Sequence, residues 1–179
     1  MDRLPRSGAG HPSNREKPSV KTIAIRPACP RDSRRLFRWR NDEQTRKASA
    51  STARVPWADH RRWLEDSFSR KDRWIYIAVS PVLCGRGPAV GMCRFDLIDH
   101  LTAEVSVNLN PRHRGKGLGP RLLEAAIARW MLDEPTPRSI IARIRPDNAA
   151  SVKSFLKVGF SLADHDGEFE VYRFPPDPS

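Results

Sequence analysis

From Thr102 to Leu109 the chain alternates strictly, with Ala103, Val105, Val107 and Leu109 apolar and Glu104, Ser106 and Asn108 polar between them. That period of two predicts a strand with one buried and one polar face. Beyond a basic, glycine-rich stretch the period changes. Leu122, Leu123, Ala126, Ile127, Trp130 and Met131 recur at helical spacing, so a helix follows, with Pro120 tolerated in its first turn.

Upstream, Thr22 to Arg26, Arg73 to Ser80 and Ala89 to Ile98 read as strands, the last turning at Asp99-His100 into the strand above. Two helices separate the first strand from the second. One begins near Asp32, a fitting N-cap, and buries Leu36, Phe37 and Trp39. The other runs through VPWADHRRWLEDSF, where His60 lies three residues before Trp63 and four before Leu64 and therefore shares their face. Downstream come a strand at Ile140 to Ile144, a helix entered at Asn148 and a hairpin turned at Asp166-Gly167. A strand, helix and strand in series make the central strand and the one at Ile140 parallel, whereas short turns make the earlier neighbours antiparallel. The expected class is α/β (α+β), a mixed and mostly antiparallel sheet with flanking helices over residues 21–175.

The 179 residues suit one domain with a real core. Residues 1–20, rich in Pro, Ser, Gly and Arg, are expected to be a disordered basic tail, and 176–179 a disordered end. No apolar run is long enough to span a membrane, so no membrane partner is expected. Cys29, Cys84 and Cys93 are odd in number and lack metal-ligand spacing, which suits reduced thiols in the cytoplasm and no metal. The formal net charge of +11 raises nucleic acid as a partner. The basic residues are nevertheless spread over tail, helices and loops with no interleaved aromatic element, so solvated surface and attraction of a polyanionic small ligand account for them better.

The loop between strand and helix concentrates the chemistry. Gly115, Gly117 and Gly119 let a ligand approach the main chain, and amides at the helix start, with Arg112, Arg114 and Lys116 around them, make a seat for a pyrophosphate. A P-loop would end in GKS or GKT, and a dinucleotide loop would stand near the start of a βαβ array, not two-thirds along the chain.

The run Arg114-Gly115-Lys116-Gly117-Leu118-Gly119 resembles the Arg/Gln-x-x-Gly-x-Gly/Ala signature of the GNAT N-acetyltransferases, and Ser139 to Phe160 resembles that family's next strand and N-x-x-S…GF helix. The resemblance extends from Thr22 to Phe174. It implies acetyl-CoA as cosubstrate, no metal, and a parallel strand pair that splays to admit the pantetheine arm. It also implies cofactor contacts at Val107, Leu109, Arg112, Arg114, Gly115, Lys116, Gly117, Leu118, Gly119, Asn148, Ser151 and Phe155. Phe155 stands where many members have a tyrosine that protonates the leaving thiolate.

Trp39-Arg40-Asn41, followed by His60-x-x-Trp63-Leu64, is similar to the GNAT enzymes that acetylate the 4-amino group of nucleotide-linked aminodideoxy sugars, as on the pseudaminic acid route. That similarity implies a small-molecule amine acceptor, a nucleotide sugar, contacted by Trp39, Arg40, Asn41, His60 and Trp63. For the base, Glu104 on the polar face comes first and His60 second. Pairing of Glu104 with an arginine, core packing of His60 and helix capping by Asn148 remain open beside those roles. A protein N-terminal or polyamine-type acetyltransferase and a non-catalytic CoA-binding module are the alternatives, as monomer or homodimer.

Overall fold

A computed structural model describes residues 23–80, 87–135 and 139–175. The tail expected over 1–20, the end over 176–179 and most of the turn over 81–88 lie outside the described residues. The order is β1 (Ala24–Pro27), α1 (Ser33–Arg40), α2 (Glu43–Lys47), α3 (Trp57–Ser69), β2 (Arg73–Val79), β3 (Ala89–Leu97), β4 (Thr102–Leu109), α4 (Leu118–Asp133), β5 (Ser139–Ile144), α5 (Ala149–Val158), β6 (Ser161–Asp166) and β7 (Phe169–Phe174). The strands form one seven-stranded sheet ordered β1-β2-β3-β4-β5-β7-β6. β4 and β5 are parallel and the other neighbours antiparallel, the mixed sheet that the connections predict.

The alternation in β4 divides its two faces. Ala103 and Val105 enter a core beneath α4 and α5 with Leu118, Leu122, Leu123, Ala126, Ile127, Trp130 and Phe155, where Trp130 stacks on Phe95 at 4.6 Å. A second core on the opposite face joins Ile75, Ile77, Val79 and Met92 to Leu36 and Trp39 of α1 and Leu64 of α3. Asn108 pairs across from Met92, Ser106 from Arg94 and Glu104 from Asp96. Cross-strand partners share a face, so the polar side chains of β4 look toward α1, α2 and α3.

Chain breaks are set by local chemistry. Asn41 ends α1 with φ −90° and ψ 0°, and Asp42 restarts the helix as α2 by accepting the Thr45 amide at 3.1 Å. Asp32 stands at the N-cap of α1, as expected, yet makes no side-chain cap there. Its carboxylate, only 1% exposed, instead receives both Arg26 guanidinium nitrogens at 2.7 Å and the Cys29 amide at 2.9 Å. Burial works to raise the Asp32 carboxyl, but hydrogen bonds from Arg26 and Cys29 together outweigh it and leave the group below its ordinary value.

A depressed carboxyl stabilises the fold fully above its unfolded value of about 3.9, and the contribution is lost as pH falls through the folded value. Asp32→Asn is therefore expected to cost about 2 kcal/mol at pH 7, or roughly 4–8 °C in Tm. Thermal melts near pH 2 should bring variant and parent together. An undiminished gap at that pH would show that the charge is not the cause.

Candidate functional site

The central strand opens a gap in the sheet. The Asn110 amide bonds the Val90 carbonyl at 2.9 Å and the Ile98 amide the Thr102 carbonyl at 3.0 Å, both toward β3. Because strand amides alternate sides, even-numbered residues of β4 give their main-chain groups to β3, and Ala103, Val105, Val107 and Leu109 direct theirs toward β5. The parallel register with β5, however, runs only from Thr102↔Ser139 to Glu104↔Ile141. Past that point the amides of Val107 and Leu109 aim into the space where the two strands part. The geometry has the splay between β4 and β5 that the resemblance implied.

Where β4 ends, a short 3₁₀ turn (Pro111–His113) leads into the glycine loop. Gly115 and Gly117 have φ of +71° and +68°, a region that favours glycine, and a Cβ on either would meet nothing within 4 Å. Gly117 is the N-cap of α4 and makes no side-chain cap, so no cap takes up the first amides at the positive end of this helix's dipole. Arg112 and Lys116 are exposed beside them, and Leu118 is buried under the helix. Gly119 differs, since a Cβ there would lie 2.9 Å from Ser154 Oγ on α5. The Arg114 guanidinium turns away from the loop to Asp42 Oδ1 at 2.5 Å, Gln44 Oε1 at 2.9 Å and Thr45 Oγ1 at 2.7 Å.

On the polar face of β4, Glu104 is partly exposed and lies 3.7 Å from Arg143 Nε, whose guanidinium also meets Asp166 at 3.2 Å. The neighbouring wall is the segment over 48–55, tethered through its main chain. Arg40 Nη2 reaches Ser51 O at 3.0 Å, Arg46 Nη1 reaches Thr52 O at 2.7 Å, and the Asn41 amide clasps Val55 by its carbonyl and its N–H at 3.0 and 2.8 Å. Arg40 Nη1 and Arg46 Nε remain buried without a hydrogen-bond partner. Burial first, then the charges of Arg46 and Arg94, pull the Arg40 guanidinium below its ordinary value. Arg94 itself stands by Asp96, with its guanidinium 5.9 Å from the Trp63 ring centroid. Unpaired buried donors among like charges are costly unless an anion completes them.

The other expected residues have visible local roles. His60 is 2% exposed and packs among Phe37, Trp57 and Trp63, with Nε2 2.9 Å from the Ser33 carbonyl. Burial lowers its pKa, so its ring is neutral near pH 7 and gives Ser33 its Nε2 proton. Trp39 is buried in the second core. Asn148 caps α5 by accepting the Ser151 amide at 3.3 Å, and Phe155 packs edge-on to Phe160 at 4.9 Å. Sequence reasoning missed Asp42, Thr45, Arg46 and Arg94. The Asp-x-x-Thr spacing of a helix N-cap could have located the first two; the arginines carried no signal, because only the fold brings them together.

Among the described residues no group of three or more His, Cys, Asp or Glu is placed to hold a metal ion. A family model described as an acetyltransferase (GNAT) domain matches residues 22–161. No curated protein matches the sequence. A domain from Methanocaldococcus jannaschii DSM 2661 superimposes with a TM-score of 0.72 at 21% identity, covering 85% of this chain and 97% of that one. Spermidine N-acetyltransferase from Vibrio cholerae, solved with CoA and spermine, gives 0.72 at 15% identity over 85% and 93%. Aminoglycoside acetyltransferase AAC(6')-Ib, solved with coenzyme A and kanamycin, gives 0.69 at 20% identity over 85% and 93%. At these identities the structural likeness is one of fold.

Proposed function

The chain belongs to the GNAT acetyltransferase family, and from that premise we propose that it transfers the acetyl group of acetyl-CoA to the 4-amino group of a nucleotide-linked aminodideoxy sugar. The transfer rests on one observation, the end of β4–β5 pairing at Glu104↔Ile141 on the same strand that leads, past Leu109, into an uncapped helix start. Open space over Gly115 and Gly117 fits a diphosphate against the main chain. In this reading the Val107 amide holds the thioester oxygen as it gains charge, and the Leu109 amide holds the pantetheine arm. Glu104 takes the proton of the attacking amine, directly or through one water. Phe155 has no proton to return, so the thiolate leaves unaided or is protonated by water.

The acceptor reading is supported by Arg40 and Arg46, whose buried, unpartnered N–H groups would be completed by phosphate oxygens of a nucleotide. Spermine and kanamycin, the ligands of two structural neighbours, are polycations that the same arginines would repel. The test is an acceptor panel with acetyl-CoA, run on the parent and on Arg40→Ala. Nucleotide-linked amino sugars should turn over best. Arg40→Ala should raise their KM about 10–100-fold, the loss of a charge-assisted hydrogen bond, and leave the KM for acetyl-CoA unchanged. Faster turnover of spermidine or a peptide N-terminus than of any nucleotide sugar would overturn the acceptor assignment.

A further inference from the structure

The expected cofactor ligand Arg114 spends its side chain elsewhere, and its partners join two walls of the site. Asp42 Oδ1 receives Arg114 Nη1 at 2.5 Å and also the Thr45 amide at 3.1 Å, so one carboxylate oxygen caps α2 and holds the glycine loop. Thr45 Oγ1 receives Arg114 Nη2 at 2.7 Å and lies 3.1 Å from Asn108 Oδ1 on the polar face of β4. The Gln44 side-chain Oε1 also accepts from Arg114 Nη1, at 2.9 Å. α2 leads directly into the tethered segment over 48–55, and Arg46 on α2 bonds that segment at the Thr52 carbonyl.

We propose that Arg114 is a positioning residue and its bridge to Asp42 a coupling strut, through which coenzyme binding at the Gly115–Gly119 loop orders α2 and the acceptor wall behind it. This inference rests on the loop being the coenzyme seat. A guanidinium shared among three acceptors on one short helix has little freedom left, so fixing the loop against a diphosphate fixes α2 as well. Such coupling is reciprocal, since a bound acceptor that steadies the wall must raise coenzyme affinity by the same factor. Arg114 thereby does for the acceptor what the loop main chain does for the coenzyme.

The test separates the strut from the cap that shares its carboxylate. Asparagine caps helices as well as aspartate but carries no charge, so Asp42→Asn keeps α2 and weakens the bridge. Hydrogen exchange is followed in parent, Asp42→Asn, Arg114→Met and the double variant, each with and without CoA. In the parent, CoA should slow exchange both at the start of α4 and across Glu43–Lys47. In either single variant the first response persists while the second falls by about fivefold or more, the lower range of ordinary site coupling. The double variant should match Arg114→Met, because with the guanidinium gone the residue at position 42 has nothing left to hold. With amino-sugar acceptors the acceptor KM rises and kcat at saturation holds. An intact α2 response in Asp42→Asn, or additive losses in the double variant, overturns the proposal. No CoA response at α4 in the parent overturns the functional reading, and the strut falls with it.

Discussion

Gly117→Val is expected to raise the KM for acetyl-CoA by about 10–100-fold while kcat at saturation stays near that of the parent. Gly117 has φ +68°, and a β-branched residue forced there bears about 1–3 kcal/mol of backbone strain. Nothing lies within 4 Å of a Cβ at this position, so the side chain fits the free protein and occupies the space a diphosphate would use. Relaxing the strain by shifting the loop moves the amides off their aim instead. Either route weakens binding of the coenzyme before any bond is made, which appears in KM rather than in kcat.

Gly119→Val, two residues along the same motif, should fail differently. Its Cβ would meet Ser154 Oγ at 2.9 Å, so the variant must turn that hydroxyl off the Ala150 carbonyl and crowd the α4–α5 contact with its methyls, losing about 1–3 kcal/mol of stability to overpacking. Isothermal titration with CoA and thermal melts on both variants separate the two. A Gly119 variant with the parent's Tm, or a Gly117 variant with the parent's CoA affinity, would refute the division.

The pattern of β4 made much of this legible. Alternation from Ala103 to Leu109 located a strand, told its faces apart and put Glu104 with the polar set, all of which the packing reproduces. The change of period after the glycines located α4, and the helix starts one turn before Leu122, at Leu118, which is buried and extends the same apolar repeat. Helical spacing likewise put His60 on the face of Trp63 and Leu64. It could not reveal that Ser33, from another helix, would take up Nε2. The wall over 48–55, proposed here as the acceptor side, was the least legible part. The Trp-Arg-Asn triplet singles out Arg40, but Arg46, Arg94 and Arg145 come from other elements, and spread along the chain they read as solvated surface. What gathers Arg40, Arg46 and Arg145 is a segment without periodicity of its own, whose main-chain carbonyls at Ser49, Ser51 and Thr52 no side-chain pattern records.

Glu104→Gln should lower kcat about 100-fold, the lower end of what a positioned general base contributes, with the KM for acetyl-CoA unchanged. Residual activity survives because holding amine and thioester together supplies about 7–11 kcal/mol regardless of the base. The loss should deepen as pH falls, since more of the acceptor amine then arrives protonated and removal of its proton limits the step. The competing role, a carboxylate that merely anchors Arg143, makes a different forecast. Arg143 lies 3.7 Å from Glu104 and keeps Asp166 at 3.2 Å when Glu104 is neutralised, so Glu104→Gln leaves that arginine partnered. With both groups partly exposed, the pair is worth at most about 1 kcal/mol. Arg143→Gln is therefore the matched control: if Glu104 acts as base, removing Arg143 leaves most of kcat, whereas an anchoring role makes the two variants equally slow. A Glu104→Gln enzyme as fast as the parent at every pH would remove the carboxylate from the reaction and leave deprotonation to water.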